Sequence, residues 1–250
     1  MVSVFPFRQQ YRLVDSCLFC GFTDWHCHVL PGVDDGLQCQ ADSLAVLQAY
    51  EDAGVSDVWL TPHIMEDMPN TTDLLRERFS GLTSAYQGTV KLHLASENMI
   101  DQVLHSRLAA SDLLPLGDDG SNLLVETSYY TPPMDFYQIL DQIAETGYQP
   151  VLAHPERYVY LEDEDYSILK SMGIWFQLNL ASLCGRYGKQ AHQKALRLLR
   201  SGCYELAGTD LHSFAMMSEL KSMKVSRQTL AQLEKLKENC PLHIESSNNH

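Results

Sequence analysis

Histidines and carboxylates in this sequence fall in short groups of the kind that hold metal ions. Near the N-terminus stands Asp24-Trp25-His26-Cys27-His28, followed by Leu30-Pro31-Gly32-Val33-Asp34-Asp35-Gly36. Further along come Thr61-Pro62-His63, Ala95-Ser96-Glu97, Val125-Glu126-Thr127, Ala153-His154-Pro155-Glu156-Arg157 and Gly208-Thr209-Asp210-Leu211-His212. Residues at i and i+2 of a strand share a face, so His26 with His28, and Asp210 with His212, can point at one ion. Imidazoles and carboxylates gathered in one small space repel or desolvate each other unless cations lie between them. Such a mixed donor set suits manganese, iron or zinc better than calcium or magnesium. Taken singly the groups are weak evidence, since a lone buried histidine such as His63 is ordinarily a core residue. Glu126, closing the apolar run Leu123-Leu124-Val125, is costly to bury without a cation. The ordered set points to metal binding. His93, His105, His192, His243 and His250 lack such company and read as surface or ordinary core residues.

Bringing these scattered groups together requires a scaffold in which many strand ends meet. Apolar, β-rich runs at 22–28, 55–61, 89–96, 122–127, 149–154, 173–180 and 203–209 alternate with amphipathic stretches. The latter lie near 40–53, 72–87, 99–109, 134–146, 163–172 and 187–201, with a last helix at 218–238. This alternation is the pattern of a parallel sheet with crossover helices. In the 72–87 helix, Thr71 or Thr72 can cap the N-terminus, Leu75, Phe79, Leu82 and Tyr86 form one apolar stripe, and Gly88 is the expected stop. Gly54, Gly147, Gly173 and Gly202 mark four other helix-to-strand junctions. Seven β/α units in one unbroken series predict a closed or nearly closed barrel. In barrels the C-terminal strand ends converge on one face, which carries the active site. Every strand candidate but 173–180 finishes on a histidine or carboxylate.

At 250 residues, with 45% hydrophobic and 20% charged residues, the chain suits one large domain, and neither repeats nor a linker interrupt it. No apolar run approaches the roughly 18 residues of a membrane span, and the N-terminus lacks the features of a secretory signal. A soluble, cytoplasmic protein is expected, with no direct insertion into a membrane. The net charge of −14 argues against nucleic acid or an anionic membrane surface as partner. It would also repel a phosphorylated ligand unless cations reverse its sign locally. The seven cysteines form no framework, and Cys17-Leu18-Phe19-Cys20 reads as ordinary packing in an N-terminal extension. No cysteine is followed six residues later by arginine, so the phosphate cradle of cysteine-dependent tyrosine phosphatases is missing.

Together, the HxH pair, the Pro-Gly-x-Asp-Asp-Gly turn, Thr61-Pro62-His63, Glu97, Val125-Glu126-Thr127-Ser128, the Ala153–Arg157 run and Thr209-Asp210-Leu211-His212 resemble the PHP superfamily (polymerase and histidinol phosphatase). Within it, residues 24–36 (DWHCHVLPGVDDG) and 151–158 (VLAHPERY) resemble the bacterial CpsB-type protein-tyrosine phosphatases, which control capsule and exopolysaccharide export. The resemblance runs from about Thr23 to Lys221. It implies an α/β fold, a distorted (β/α)7 TIM-like barrel of the PHP type, occupying 22–250 as a single domain behind a 1–21 extension. It implies a cluster of three divalent metal ions, manganese foremost, with iron or zinc as alternatives. One ion would take His26, His28, Glu97 and Asp210; a second would take Glu97 as bridge, Glu126 and His154; a third would take Asp35, His63 and His212. Asp35 is preferred to Asp34 on the resemblance alone, and Arg157 would hold the phosphate.

The implied reaction is hydrolysis of a phosphotyrosyl protein without a covalent phosphoenzyme. The implied substrate is the tyrosine-rich tail of a membrane-bound bacterial tyrosine kinase. One departure is visible. Family members usually carry an arginine just after the Asp-x-His pair, whereas residues 213–218 here read Ser-Phe-Ala-Met-Met-Ser. A small-metabolite phosphatase of the histidinol phosphate type, and a non-catalytic kinase-binding regulator, are the alternative readings.

Overall fold

The apolar runs form strands and the amphipathic stretches form helices in the computed structural model, which describes residues 10–242. His243, His250 and the first nine residues of the extension lie outside the described residues. The strands are β1 (Gln10–Arg12), β2 (Thr23–Cys27), β3 (Asp57–Leu60), β4 (His63–Ile64), β5 (Lys91–Leu94), β6 (Glu97–Met99), β7 (Asn122–Glu126), β8 (Gln149–Ala153), β9 (Trp175–Asn179), β10 (Leu206–Gly208) and β11 (Lys224–Ser226). The helices are α1 (Gln40–Ala53), α2 (Thr72–Ala85), α3 (Gln102–Ala110), α4 (Phe136–Glu145), α5 (Asp163–Ser171), α6 (Gly188–Arg200), α7 (Phe214–Ser222) and α8 (Arg227–Glu238).

The strands between β2 and β10 pair in parallel, as β2-β3-β5 and as β10-β9-β8-β7-β6-β4. Two interruptions knit these pieces into a curled sheet. Thr61-Pro62 separates β3 from β4, where proline has no N–H to give a ladder. Ala95-Ser96 separates β5 from β6, with the Ser96 N–H donating to Leu114 O at 3.0 Å. The C-terminal halves of these two strands thereby leave the three-stranded piece and join the six-stranded one, carrying His63 and Glu97 towards Glu126. At the opposite edge Asp210 N–H donates to His26 O at 2.7 Å, and His28 N–H donates to Leu211 O at 2.9 Å. These bonds draw the end of β10 against the end of β2.

Both faces of the sheet are buried, as parallel strands require. Inside the curl, Trp25, Trp59, Leu124, Val151, Ala153 and Leu206 form one core, with Trp25 and Trp59 stacked at 5.6 Å. Outside, Leu123, Val125, Leu152 and Phe176 pack in a second core that also holds Phe136, Ile139, Leu140 and Ile143 of α4. These four recur at helical spacing, which is why α4 lies on the sheet. Thr71 caps α2, its hydroxyl accepting from Leu74 N–H at 3.2 Å. The helix ends at Ala85, with Tyr86 already extended, before the expected glycine stop at Gly88.

The predicted 218–238 helix is instead α7, β11 and α8. Met223 turns the chain extended, Lys224–Ser226 pairs antiparallel with Gln10–Arg12, and the Ser226 hydroxyl caps α8. The continuous periodicity hid a pairing with the N-terminal extension, which no local pattern encodes. The described part of that extension packs on the body through buried Leu13, Leu18 and Phe19, while Cys17 and Cys20 are exposed. Among the described residues no helix is long and apolar enough to cross a membrane.

Candidate metal centre

The C-terminal strand ends place the sequence-selected side chains around one point. His26 and His28 leave β2 on the same side, with their Nε2 atoms 3.1 Å apart. Glu97, at the start of β6, puts Oε2 3.1 Å from His26 Nε2 and 3.2 Å from His28 Nε2. Asp210, just after β10, puts Oδ1 at 3.5 and 3.4 Å from the same two nitrogens. All four residues are buried. His63 Nδ1 lies 3.1 Å from Glu97 Oε2 and 2.9 Å from Glu126 Oε1. On the outer side, His63 Nε2 and His212 Nε2 lie 3.5 and 3.4 Å from Asp35 Oδ1. Three donor groups result: His26, His28, Glu97 and Asp210; His28, Asp35, His63 and His212; and His63, Glu97 and Glu126. His154 stands beside them, Nε2 3.1 Å from Glu97 Oε1, while His63 rather than His154 shares the group with Glu126.

Two glycines permit this crowding. A Cβ on Gly208 would lie 2.6 Å from His26 Cβ, and one on Gly36 would lie 2.6 Å from His28 Cβ. Two site residues also hold unfavourable backbone, His154 at φ 34° and Asp210 at φ 50°. Left-handed conformations in non-glycine residues persist where surrounding structure enforces them, and they gather at functional sites.

The donor set fits divalent cations on three counts. First, the imidazoles are oriented from behind. His26 Nδ1 bonds Gln177 Oε1 at 2.9 Å, His28 Nδ1 bonds Asp34 Oδ2 at 2.8 Å, and His212 Nδ1 bonds Asp210 O at 2.9 Å. An acceptor at Nδ1 fixes the proton there and turns the Nε2 lone pair inward, as metal-ligating histidines require. Second, Glu97 Oε2, Glu126 Oε1, His63 Nδ1 and His154 Nδ1 are buried without a hydrogen-bond partner among the described residues. Buried polar atoms left unpaired are expensive, and the first three converge, His63 Nδ1 lying between Glu97 Oε2 and Glu126 Oε1, where one cation would satisfy them together. Third, the cluster demands positive charge. Burial pushes the His26 imidazole down, yet Glu97 and Asp210 outweigh it and lift it to about 9. Burial raises Glu97 and Asp210, but the surrounding imidazoles draw both carboxyls well below their ordinary range.

Asp34 and Asp35, indistinguishable by spacing, differ in geometry. Asp34 is occupied by His28 Nδ1, by Gly36 N–H at 2.9 Å and by His63 N–H at 3.1 Å. Asp35 is 59% exposed and faces His63 and His212. Cys27, between the two histidines, points elsewhere. Its thiol donates to Trp59 O at 3.4 Å, and burial holds its pKa well above the ordinary thiol value.

Arg157 stands at the edge of the cluster. Its Nη1 donates to Asp210 Oδ2 at 2.6 Å, and its guanidinium lies 4.3 Å from the Tyr129 ring and 4.0 Å from the Tyr187 ring. Burial would lower its pKa, but Asp210 keeps it above the ordinary value. Asn179 Nδ2 also donates to Asp210 Oδ2, at 2.8 Å. Glu156, next to Arg157, is buried and accepts from Ser182 Oγ, Tyr204 OH and Asn179 N–H. Sequence reasoning missed Asp34, Gln177, Asn179, Tyr129 and Tyr187 as supports. For two of them a signal existed, because Gln177 and Asn179 alternate with Phe176 and Leu178 in the one strand lacking a terminal histidine or carboxylate. A cavity of about 370 Å³ at the other end of the strands, bordered by Trp25, Asp57 and Lys91, holds none of these donors.

A family model described as capsular polysaccharide synthesis, CpsB/CapC, matches residues 22–248. The tyrosine-protein phosphatase YwqE of Bacillus subtilis (strain 168) is 30% identical over 196 residues, covering 76% of this chain and 77% of that protein. The tyrosine-protein phosphatase CpsB of Streptococcus pneumoniae is 24% identical over 209 residues, covering 76% and 82%. A solved structure from work on YwqE and CpsB, described as metal-dependent tyrosine phosphatases, superposes with a TM-score of 0.73 at 27% identity. It covers 85% of this chain and 86% of the other.

Proposed function

This chain belongs to the capsular polysaccharide synthesis CpsB/CapC family, and we propose that it is a metal-dependent protein-tyrosine phosphatase. The observation that carries the reading is the convergence of imidazoles and carboxylates in which Glu97 Oε2, Glu126 Oε1 and His63 Nδ1 are buried without a hydrogen-bond partner among the described residues. We read the parallel strand units as a distorted (β/α)7 barrel of the PHP type, with residues 22–250 as its single domain and 1–21 as an extension. Three divalent ions, manganese before iron or zinc, are the proposed occupants, a reading supported by three overlapping donor groups beside which His154 stands. His26, His28, Asp35, His63, Glu97, Glu126, His154, Asp210 and His212 are the proposed ligands. When bound, such ions offset charge on phosphoryl oxygens and lower the pKa of water from about 15.7 towards 7.

The chain's own residues supply orientation and charge. Gln177 and Asp34 fix the tautomers of His26 and His28, so that each offers a lone pair. The Tyr129 and Tyr187 rings, 4.3 and 4.0 Å from the guanidinium carbon, hold Arg157 in place. One of its N–H groups engages Asp210, and the others are left for phosphoryl oxygens, a charge-assisted contact that strengthens as the leaving oxygen departs. No cysteine stands ready as a nucleophile, since Cys27 is buried and turned away. The proposed substrate is a phosphotyrosyl protein, the tyrosine-rich tail of a membrane-bound bacterial tyrosine kinase, with the phosphatase working from the cytoplasm in control of capsule or exopolysaccharide synthesis.

The test is a comparison of kcat/KM on a phosphotyrosyl peptide and on histidinol phosphate, using protein purified without chelator. A clear preference for the peptide is expected. Preference for histidinol phosphate would transfer the same site to small-metabolite chemistry.

A further inference from the structure

Six large apolar side chains are exposed among the described residues, Leu74, Tyr130, Met134, Val159, Ile168 and Phe214, and three of them lie in the two loops that carry Tyr129 and Arg157. Tyr130 is 78% exposed, Met134 98% and Val159 39%. They occupy the loops that follow β7 and β8, on the face where the donor cluster lies. Tyr130 is next in sequence to Tyr129, whose ring covers the Arg157 guanidinium at 4.3 Å. Val159 follows Arg157 by two residues, and its N–H donates to Tyr129 O at 2.9 Å, which ties the two loops together.

Beneath them lies an aromatic bed. Tyr129 stacks on Tyr158 at 6.0 Å, Tyr158 on Tyr160 at 5.8 Å, and Tyr160 meets Phe136 edge-on at 6.5 Å. Pro132 and Pro133 restrict the backbone between Tyr130 and Met134. The exposed tips therefore project from a stiff base, and their place beside Arg157, rather than their exposure alone, suits them to meet the part of a substrate that lies outside the cluster.

Resting on the phosphatase reading, we propose that Tyr130, Met134 and Val159 form a lip that receives an apolar or aromatic side chain flanking the phosphotyrosine of a polypeptide substrate. A phosphomonoester the size of one side chain would end at Arg157 and leave the lip bare, whereas a polypeptide must cross the rim. The chemistry of the flank follows from the lip itself, whose residues 129–134 (Tyr-Tyr-Thr-Pro-Pro-Met) carry no charge. An acidic flank is further disfavoured by the chain's net charge of −14.

The experiment uses the metal-loaded enzyme and the double variant Tyr130→Ser, Met134→Ser. Substrates are a phosphotyrosyl peptide with leucine or tyrosine neighbours, its counterpart with serine neighbours, and para-nitrophenyl phosphate. The wild-type enzyme should favour the apolar-flanked peptide through KM by about ten-fold, the scale of one lost interface anchor. The variant should lose that preference while kcat and turnover of para-nitrophenyl phosphate stay unchanged. Ile168→Ser, removing an exposed apolar side chain on α5, should keep the preference and so show that the effect belongs to the lip and not to any apolar group lost from the surface. A variant that retains the preference overturns the lip, and so does one that loses all three substrates in parallel. A wild-type enzyme idle on every phosphotyrosyl substrate and on para-nitrophenyl phosphate would overturn the phosphatase reading itself, a result distinguishable from failure of the lip.

Discussion

Glu97 is the residue on which the cluster turns. Its Oε2 lies within 3.2 Å of nitrogens on His26, His28 and His63, and its Oε1 lies 3.1 Å from His154. Glu97→Gln removes the charge these positions share and leaves an amide N–H₂ facing lone pairs. Metal content should fall by more than one ion per chain, read by elemental analysis after gel filtration. A full complement in this variant would contradict the bridging role. Arg157 tests the other half of the site. A hydrogen bond of this charged kind contributes about 1.5–3 kcal/mol, so Arg157→Ala should lower kcat/KM on a phosphotyrosyl peptide by about ten- to a hundred-fold. Metal content should hold, because Asn179 still donates to Asp210 Oδ2. Lysine should rescue only in part, since it has neither a planar group to set against Tyr129 and Tyr187 nor a fork. Kinetics near wild type in Arg157→Ala would reduce this arginine to a partner of Asp210.

At the scale of elements, the site depends on the seam between β2 and β10. Asp24, fully buried in β2, accepts from Thr209 N–H at 2.8 Å, Thr209 Oγ1 at 2.6 Å, Tyr50 OH at 2.5 Å and His26 N–H at 3.2 Å. Burial raises its pKa, and these donors work against that rise. Asp24→Asn turns an N–H₂ towards some of the same donors, so it should destabilise the fold by about 1–3 kcal/mol. The measurement is the denaturant midpoint at unchanged slope, and an unmoved midpoint would mean that the seam is held elsewhere. Strand ends were the most legible feature of the sequence, because all but that of the 173–180 run carry a histidine or carboxylate after an apolar run. What stayed illegible was set by distant segments. The extension pairs with Lys224–Ser226 and so splits one predicted helix into α7, β11 and α8. The breaks at Thr61-Pro62 and Ala95-Ser96 pass two strands from one sheet piece to the other. Asp34 was separable from Asp35 only once its hydrogen bonds to His28 and Gly36 were in view.

For the whole molecule the governing fact is charge. A chain of net charge −14 places buried carboxylates of Glu97, Glu126 and Asp210 beside the position proposed for a phosphate dianion. Arg157 alone does not reverse that field, and residues 213–218, the N-cap and first turns of α7, add no arginine or lysine. Cations held by the cluster would do so where the charge develops, and would also satisfy the unpaired atoms of Glu97, Glu126 and His63. The thiols stand outside this chemistry, with Cys27 buried against Trp59 and no cysteine paired with a downstream arginine. The most direct test is therefore one assay of phosphotyrosyl-peptide hydrolysis under two treatments, iodoacetamide and EDTA. Alkylation should leave most activity, chelation should abolish it, and added manganese should restore it. Activity destroyed by iodoacetamide and spared by EDTA would contradict the account.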